Sequence, residues 1–498
     1  MLHKSAIAVT VILLGNQINV DSKELKQLIF LWRHGDRSPV RQYPEYEKQF
    51  DNKFEEMWPH GPGQLTIHGM KQHYELGNYL HKTYKDFIPE NFNPNEIYIR
   101  STDVDRTLMS AQANAAAMFQ DQDRTDSGIT PVGIETPLFD QWMPLPIHTV
   151  PRSDEEILSF PVRESRCPKW HEYAKAARET PKFLEYQKKY GDFLADIRVK
   201  GGFNEPFGLA DEWEFFDPIY CTYVHNFTMP EWFSTDMLKE LEDIWALGAY
   251  ALFSDFENDL HEKMTRLGAG NLIKQLQTDM KQVLKVDHSR SKRGTLVSGL
   301  KLKDGPDGGD PLLPHKLRIY SAHDTTIVAL LVALKQYNFK QPPYASALIF
   351  EVYDDESIVF KYRNETDHEA YTLRLCDAEG DCKFDDFVAD KNHLISDNWA
   401  VECESKHISP ATHASSTLLL TTLQKFKMKI TQYINTMELQ WENRVSWYLF
   451  LYFCFYYLAH GSASSFSTST IAFKTETIFR TKILTPEWKL VFTDGATQ

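Results

Sequence analysis

Three short stretches gather the residue types that could carry out chemistry: Arg33-His34-Gly35-Asp36-Arg37-Ser38-Pro39, Arg100-Ser101-Thr102-Asp103 and Ala322-His323-Asp324-Thr325. Guanidinium groups are planar, permanently charged forks that match phosphate oxygens. Arg33, Arg37 and Arg100 supply three of them, and His323 adds a fourth donor. Gly35 lets backbone approach a ligand closely. Two histidines and an aspartate set among arginines suggest a nucleophile and a proton donor. Each stretch alone has a plainer reading: a solvated loop for the first, a core ion pair or helix cap for Arg100, a chance dipeptide for His-Asp. Their weight comes from occurring in order, each at the end of a strand. Together they describe a phosphate site with catalytic equipment.

Those strands can be read from apolar runs. Leu28–Trp32 (LIFLW) has the length of a buried parallel strand, and Ile97–Ile99 and Leu317–Tyr320 read as two more. The Ala-rich segment Asp105–Phe119 predicts a helix with acid at its start, and Thr325–Tyr337 predicts another. Ala347–Tyr353 and Ser357–Tyr362 predict an antiparallel hairpin around Asp354-Asp355-Glu356. Residues 150–290 are instead helical and polar, rich in Trp, Tyr, Lys and Glu. Alternating βα units interrupted by a helical block imply an α/β fold, a mixed central sheet flanked by helices, with a smaller inserted helical domain. Asp304–Pro314 is the expected loop back into the core. In an open α/β sheet, ligands bind outside the carboxyl ends of the strands, so the three stretches can converge on one pocket.

The chain has 498 residues, 54 of them basic and 69 acidic, for a net charge of −15. This balance argues against a nucleic-acid partner, which needs a basic face. Hydrophobic residues at 42% and charged residues at 25% are ordinary globular usage, which excludes disorder or coiled coil as a description of the whole. Lys4 followed by the apolar run Ala6–Leu14 has signal-peptide character, which makes residues 1–20 a leader and implies the secretory pathway. Sequons at Asn226 and Asn364 agree with that route. The six cysteines, Cys167, Cys221, Cys376, Cys382, Cys403 and Cys454, are too sparse for a disulfide scaffold and lack zinc spacing. No stretch reaches the roughly 20 apolar residues of a membrane span. Leu418–Tyr433 predicts one more helix, and Trp447–Ala459 is a short aromatic segment whose contact with a membrane the residues leave open. The expected organisation is thus a core over 21–150 and 290–435, a helical insertion over 151–289 and a divergent tail over 436–498.

The strings Arg33–Pro39 (RHGDRSP), Gly63–Thr66 (GQLT) with Gly69, Arg100–Thr107 (RSTDVDRT) and Tyr320–Thr326 (YSAHDTT) carry a specific resemblance. Asp217–Tyr220, His225–Thr228 and Pro342–Ser346 add to it, and it covers about residues 25 to 410. The sequence resembles the histidine acid phosphatase family, near its animal prostatic and lysosomal-type branch. The resemblance implies hydrolysis of phosphate monoesters at acid pH in an extracellular or lysosomal setting, on small-molecule or protein substrates. It implies His34 as nucleophile, Asp324 as proton donor, and Arg33, Arg37, Arg100 and His323 as phosphate ligands. It also implies disulfides Cys167–Cys403 and Cys376–Cys382, a homodimer, and neither cofactor nor metal. Chemistry agrees with these roles: a neutral imidazole can attack phosphorus to form a phosphohistidine, and the leaving alkoxide needs an acid to protonate it.

One departure stands out. The branch usually has a cysteine after the PPYAS string to pair with the one matching Cys221, and here that position is Ala347. Cys221 is therefore expected as a free thiol. The alternative enzyme reading is a phytase-like or otherwise substrate-specialised histidine phosphatase. A phosphomutase fits less well, because Asp36 stands where mutases usually carry Glu. A binding protein on the same scaffold would be expected to lack His34 or Asp324, and both are present.

Overall fold

A computed structural model describes residues 23–89, 92–120, 144–159, 166–203, 208–211, 213–291, 314–365, 368–377 and 380–404. The chain divides into two compact units, Met1–Ser409 and Pro410–Gln498, and every described residue belongs to the first. The leader, Cys454, the Leu418–Tyr433 helix and the aromatic segment Trp447–Ala459 lie outside the described residues.

Strand β1 (Leu25–Arg33) is followed by short helices α1 (Pro44–Glu47) and α2 (Phe54–Met57), then α3 (Ile67–Thr83). Strand β2 (Ile97–Ser101) leads into α4 (Asp105–Met118). A helical block follows: α5 (Pro168–Arg178), α6 (Pro181–Gly201), α7 (Trp213–Val224), α8 (Thr235–Ala251), α9 (His261–Gly268) and α10 (Gly270–Ser291). The chain then returns to the sheet with β3 (Leu317–Ala322), α11 (Asp324–Ala333), β4 (Ala347–Tyr353), β5 (Ser357–Arg363), β6 (Tyr371–Leu373) and β7 (Cys382–Lys383). Helices α12 (Phe384–Lys391) and α13 (Trp399–Glu402) end the described part.

The seven-stranded sheet runs β2-β3-β1-β4-β5-β6, with β7 also on β5. β1, β2 and β3 are parallel, whereas β4 is antiparallel to β1 and pairs in turn with β5. The sheet is therefore mixed, and α helices cover both faces. Side chains alternate across a strand. Accordingly Leu28, Phe30 and Trp32 of β1 enter one core with Leu76 and Leu80 of α3 and Met118 of α4, while Ile29 and Leu31 enter the other with α8, α10 and α11. Burial on both faces is what an unbroken apolar run requires.

Register brings the chemistry together. Arg33 lies opposite Ala322 and Ser101 opposite Ser321, so β1, β2 and β3 end at the same edge. Ala347, the first residue of β4, pairs with Trp32, which places the loop before it at that edge too. Two disulfides, Cys167–Cys403 and Cys376–Cys382, are formed. The first ties the start of α5 to the residue after α13, joining the helical block to the end of the core. No helix among the described residues is long and apolar enough to cross a membrane.

Candidate active site

The loop after β1 is held from every side by backbone. Arg33 N donates to Ser346 O at 3.0 Å, His34 N to Ala322 O at 3.0 Å, and Ala345 N to His34 O at 3.2 Å. Gly35 then crosses the first turn of α3 so closely that an added Cβ would stand 2.3 Å from Gly69 O. Gly69 faces the same limit, 2.2 Å from Asp36 O. Two backbones in contact leave no room for a methyl group. Gly35→Ala should therefore cost about 1–3 kcal/mol or more of stability, visible as a lower denaturant midpoint, and displace His34 as well. Asp36 is buried and holds its surroundings in place: its carboxylate accepts from Thr66 Oγ1 at 2.5 Å, the N-cap of α3, and lies 2.6 Å from His225 Nε2.

His34 is buried, and its Nδ1 is 2.8 Å from Gly35 O. A carbonyl only accepts, so Nδ1 carries the proton and Nε2 keeps its lone pair. Burial, followed by the charges of Arg106, Arg33, Arg37 and His323, holds this imidazole well below its ordinary pKa. It stays neutral, and so nucleophilic, in acid. His323 stands edge-on to it, with ring centroids 5.6 Å apart. Its Nε2 lies 2.9 Å from Thr102 Oγ1, which fixes the ring, and burial with Arg106 lowers its pKa to about 3. Beneath them the buried His73 donates from Nε2 to Arg33 O at 3.0 Å, and burial lowers its pKa to about 4.

Asp324 opens α11, where the helix dipole favours an anion. Its carboxylate meets Arg33 Nη2 at 2.9 Å and accepts from Thr325 N at 2.7 Å. Burial would raise its pKa, but Arg33, Arg37 and His323 outweigh that and hold it below the usual carboxylate range. Arg33 is further fixed by Pro342 O at 2.5 Å and by the Tyr344 ring, 4.1 Å away. Arg37 pairs with Asp217 of α7 at 2.7 Å, so the helical block supplies part of the site. Arg100 stands on the neighbouring strand, with Nη2 2.9 Å from both oxygens of the buried Glu155. Glu155 also accepts from Leu158 N, and Leu158 O accepts from Thr326 Oγ1 of α11. Arg100 thus reaches the cluster through its partner's loop rather than by direct contact.

Arg33, His34, Arg37, His323 and Asp324 converge directly. Sequence reasoning missed the groups that hold them: Asp217, Glu155, Tyr344 and Arg106. Asp217, Tyr344 and Arg106 lie within strings that carry the resemblance, so a signal existed for them. Glu155 sits among Asp154 and Glu156, and nothing in that run marks one acid as buried.

Cys221 is free and buried, within 3.9 Å of Arg37 Nη1 and 3.8 Å of Tyr344 Oη. Burial, reinforced by Asp217, pushes the thiol well above its ordinary pKa, so thiolate is scarce. Native protein should resist iodoacetamide at Cys221, whereas urea-unfolded protein should be alkylated there, as read by peptide mass spectrometry. A native protein modified at Cys221 would contradict this burial.

A family model, Histidine phosphatase superfamily (branch 2), matches residues 24–376. The chain is 36% identical over 406 residues to prostatic acid phosphatase of Homo sapiens, covering 80% of this chain and 92% of that one. It is 35% identical over 408 residues to lysosomal acid phosphatase of Xenopus laevis, covering 80% and 83%. Among solved structures, the phytase from Citrobacter braakii aligns with a TM-score of 0.52 at 14% identity, over 76% of this chain and 99% of that one. That likeness is one of fold. With the match spanning the strand ends, both glycines at the crossing and the His-Asp pair, this chain belongs to branch 2 of the histidine phosphatase superfamily.

Proposed function

We propose that the chain is an acid phosphatase that hydrolyses phosphate monoesters through a phosphohistidine on His34. The observation that carries the reading is the hydrogen bond from His34 Nδ1 to Gly35 O, which frees Nε2 for attack beside the Arg33–Asp324 pair. Arg33, Arg37 and His323 bind the phosphoryl oxygens, and Arg100, expected from the sequence to join them, acts through its pair with Glu155. Nε2 attacks phosphorus as the ester P–O bond breaks, and Asp324 gives its proton to the departing oxygen. Water then attacks the phosphohistidine, Asp324 takes a proton from it, and orthophosphate leaves with His34 restored.

Asp324 is ionised in the free enzyme and must be protonated to act. A phosphoryl dianion beside it disfavours its charge and competes for Arg33, so binding itself raises the acid's pKa. The phytase reading is weaker, because the relatives at about a third identity are acid phosphatases and the phytases share the fold alone. Hydrolysis of p-nitrophenyl phosphate at acid pH by the secreted full chain tests the reading. A folded protein with no turnover on aryl or alkyl phosphates would end it.

The two disulfides support a secretory route, since such bonds persist in oxidising compartments. Asn226 is exposed in a left-handed turn after α7, a surface accessible to glycosylation. The helical insertion over 151–289 and the homodimer remain part of the proposal. Sedimentation of the secreted protein addresses the second.

A further inference from the structure

One loop at the edge of the pocket carries a charge that nothing in the fold answers. It starts beside β2, where Ser101 N donates to His148 O at 2.9 Å and His148 N to Ile99 O at 2.9 Å. Further on, Leu158 O accepts from Thr326 Oγ1 of α11 at 2.6 Å, and His323 N donates to that same hydroxyl at 3.3 Å. The loop is thus pinned at one end to a strand of the site's edge and at the other to the helix turn that opens with Asp324. Between these points Asp154 N donates to Pro151 O at 2.7 Å, which closes a turn with Arg152 and Ser153 at its corner.

The neighbours of Arg152 are engaged. Glu155 is buried against Arg100, and Asp154 accepts from Ser153 Oγ at 2.9 Å. Arg152 itself is exposed and has neither a hydrogen bond nor an ion-pair partner among the described residues. Its position sets it apart from an ordinary surface cation. Arg152 adds to the charges that depress the pKa of His323 and of Arg106, so its guanidinium stands within electrostatic reach of the pocket. Arg33, Arg37 and Arg100 each meet a carboxylate, at 2.9, 2.7 and 2.9 Å, whereas Arg152 acts on another guanidinium. Like charges held near each other are unfavourable until an anion joins them. The chain's net charge of −15 also repels anions, and a cation at the rim counters that field locally.

We propose that Arg152 binds a second phosphate on the substrate, so that the enzyme favours small phosphate monoesters carrying another phosphoryl group. This deepens the phosphatase reading above and rests on it. The phosphate to be cleaved sits against His34, and a second one on the same molecule reaches the turn at the rim. The guanidinium fork matches its oxygens, and no partner in the protein has to be displaced. Such a contact is made equally in the ground state and the transition state, so it lowers KM and leaves kcat alone.

The test measures kcat/KM at acid pH for ethanediol, butanediol and hexanediol bisphosphates, each against its own monophosphate. The three spacers sweep the distance between the two phosphates. Full-length wild type, Arg152→Ala and Arg152→Glu are compared. Arg152→Ala should lower the bisphosphate preference roughly 3- to 10-fold for at least one spacer, through KM. Arg152→Glu should lower it further, because repulsion replaces attraction. Arg152→Ala should keep kcat on p-nitrophenyl phosphate within about twofold of wild type, which reports an intact pocket. In wild type the preference should shrink as salt rises, since an exposed charge is screened. Unchanged preference in Arg152→Ala at every spacer, or equal losses on bisphosphates and monophosphates, would overturn the proposal. So would a preference that salt leaves untouched. Wild-type protein inert on every ester would instead remove the phosphatase reading, and this inference with it.

Discussion

His34→Ala should give a folded protein whose turnover has fallen by about a thousandfold or more. The fold is expected to survive because the loop is held by backbone, to Ala322 O and from Ala345 N, and the side chain's hydrogen bond is a local one to Gly35 O. The chemistry should be lost with the Nε2 lone pair that the contact of Nδ1 with Gly35 O orients. His323 is the nearest rival, and its Nε2 is engaged with Thr102. Acid-quenched enzyme incubated with a labelled phosphate ester should carry acid-labile label in wild type and none in the variant. Label persisting in His34→Ala would mean that a different nucleophile operates.

Asp324→Asn should show a loss that depends on the leaving group. For alkyl phosphates the departing alkoxide is strongly basic, and losing the donor should cost about 10²- to 10⁴-fold. For aryl phosphates whose leaving phenol is acidic the cost should be far smaller. In wild type, the rate should fall as pH rises through the donor's pKa in the substrate complex. That limb should lie above the value for the free enzyme, where Arg33 and Arg37 hold the carboxyl down. The Asn variant should lose the limb. Equal losses across a series of leaving groups would take Asp324 out of the role.

What the sequence made legible was local and contiguous. Arg33–Pro39 and Tyr320–Thr326 each join a strand to its catalytic loop within a few residues, so pattern and chemistry could be read together. The hairpin of β4 and β5 was equally plain because two runs rich in β-branched and aromatic residues flank an acidic turn. Helix α3 escaped notice, since its 17 residues are polar overall and bury a narrow stripe of His73, Leu76, Gly77 and Leu80. The helix expected over Thr325–Tyr337 stops at Ala333 because Lys335 turns left-handed, a change that no neighbouring glycine announces. Buried carboxylates were hardest to find. Asp217 and Glu155 look like any surface acid until the fold brings an arginine to each, and those arginines are remote in sequence.

The buried imidazoles carry a consequence for handling this protein. His34 and His73 keep folded-state pKa values below the ordinary value, so the unfolded chain binds protons in acid that the native chain does not. Their contribution to stability is complete above the unfolded value near 6.5 and drains away as pH falls toward the folded values, by about 1.4 kcal/mol per pH unit for each ring. Asp324, with its depressed pKa, pulls in the same direction at lower pH. An enzyme working in acid would thus operate on the failing side of its own stability curve. Orthophosphate, if bound by the native pocket alone, should push back by mass action. The product of the reaction should then act as its preservative, so that dialysis at acid pH lowers the melting midpoint and added orthophosphate restores it.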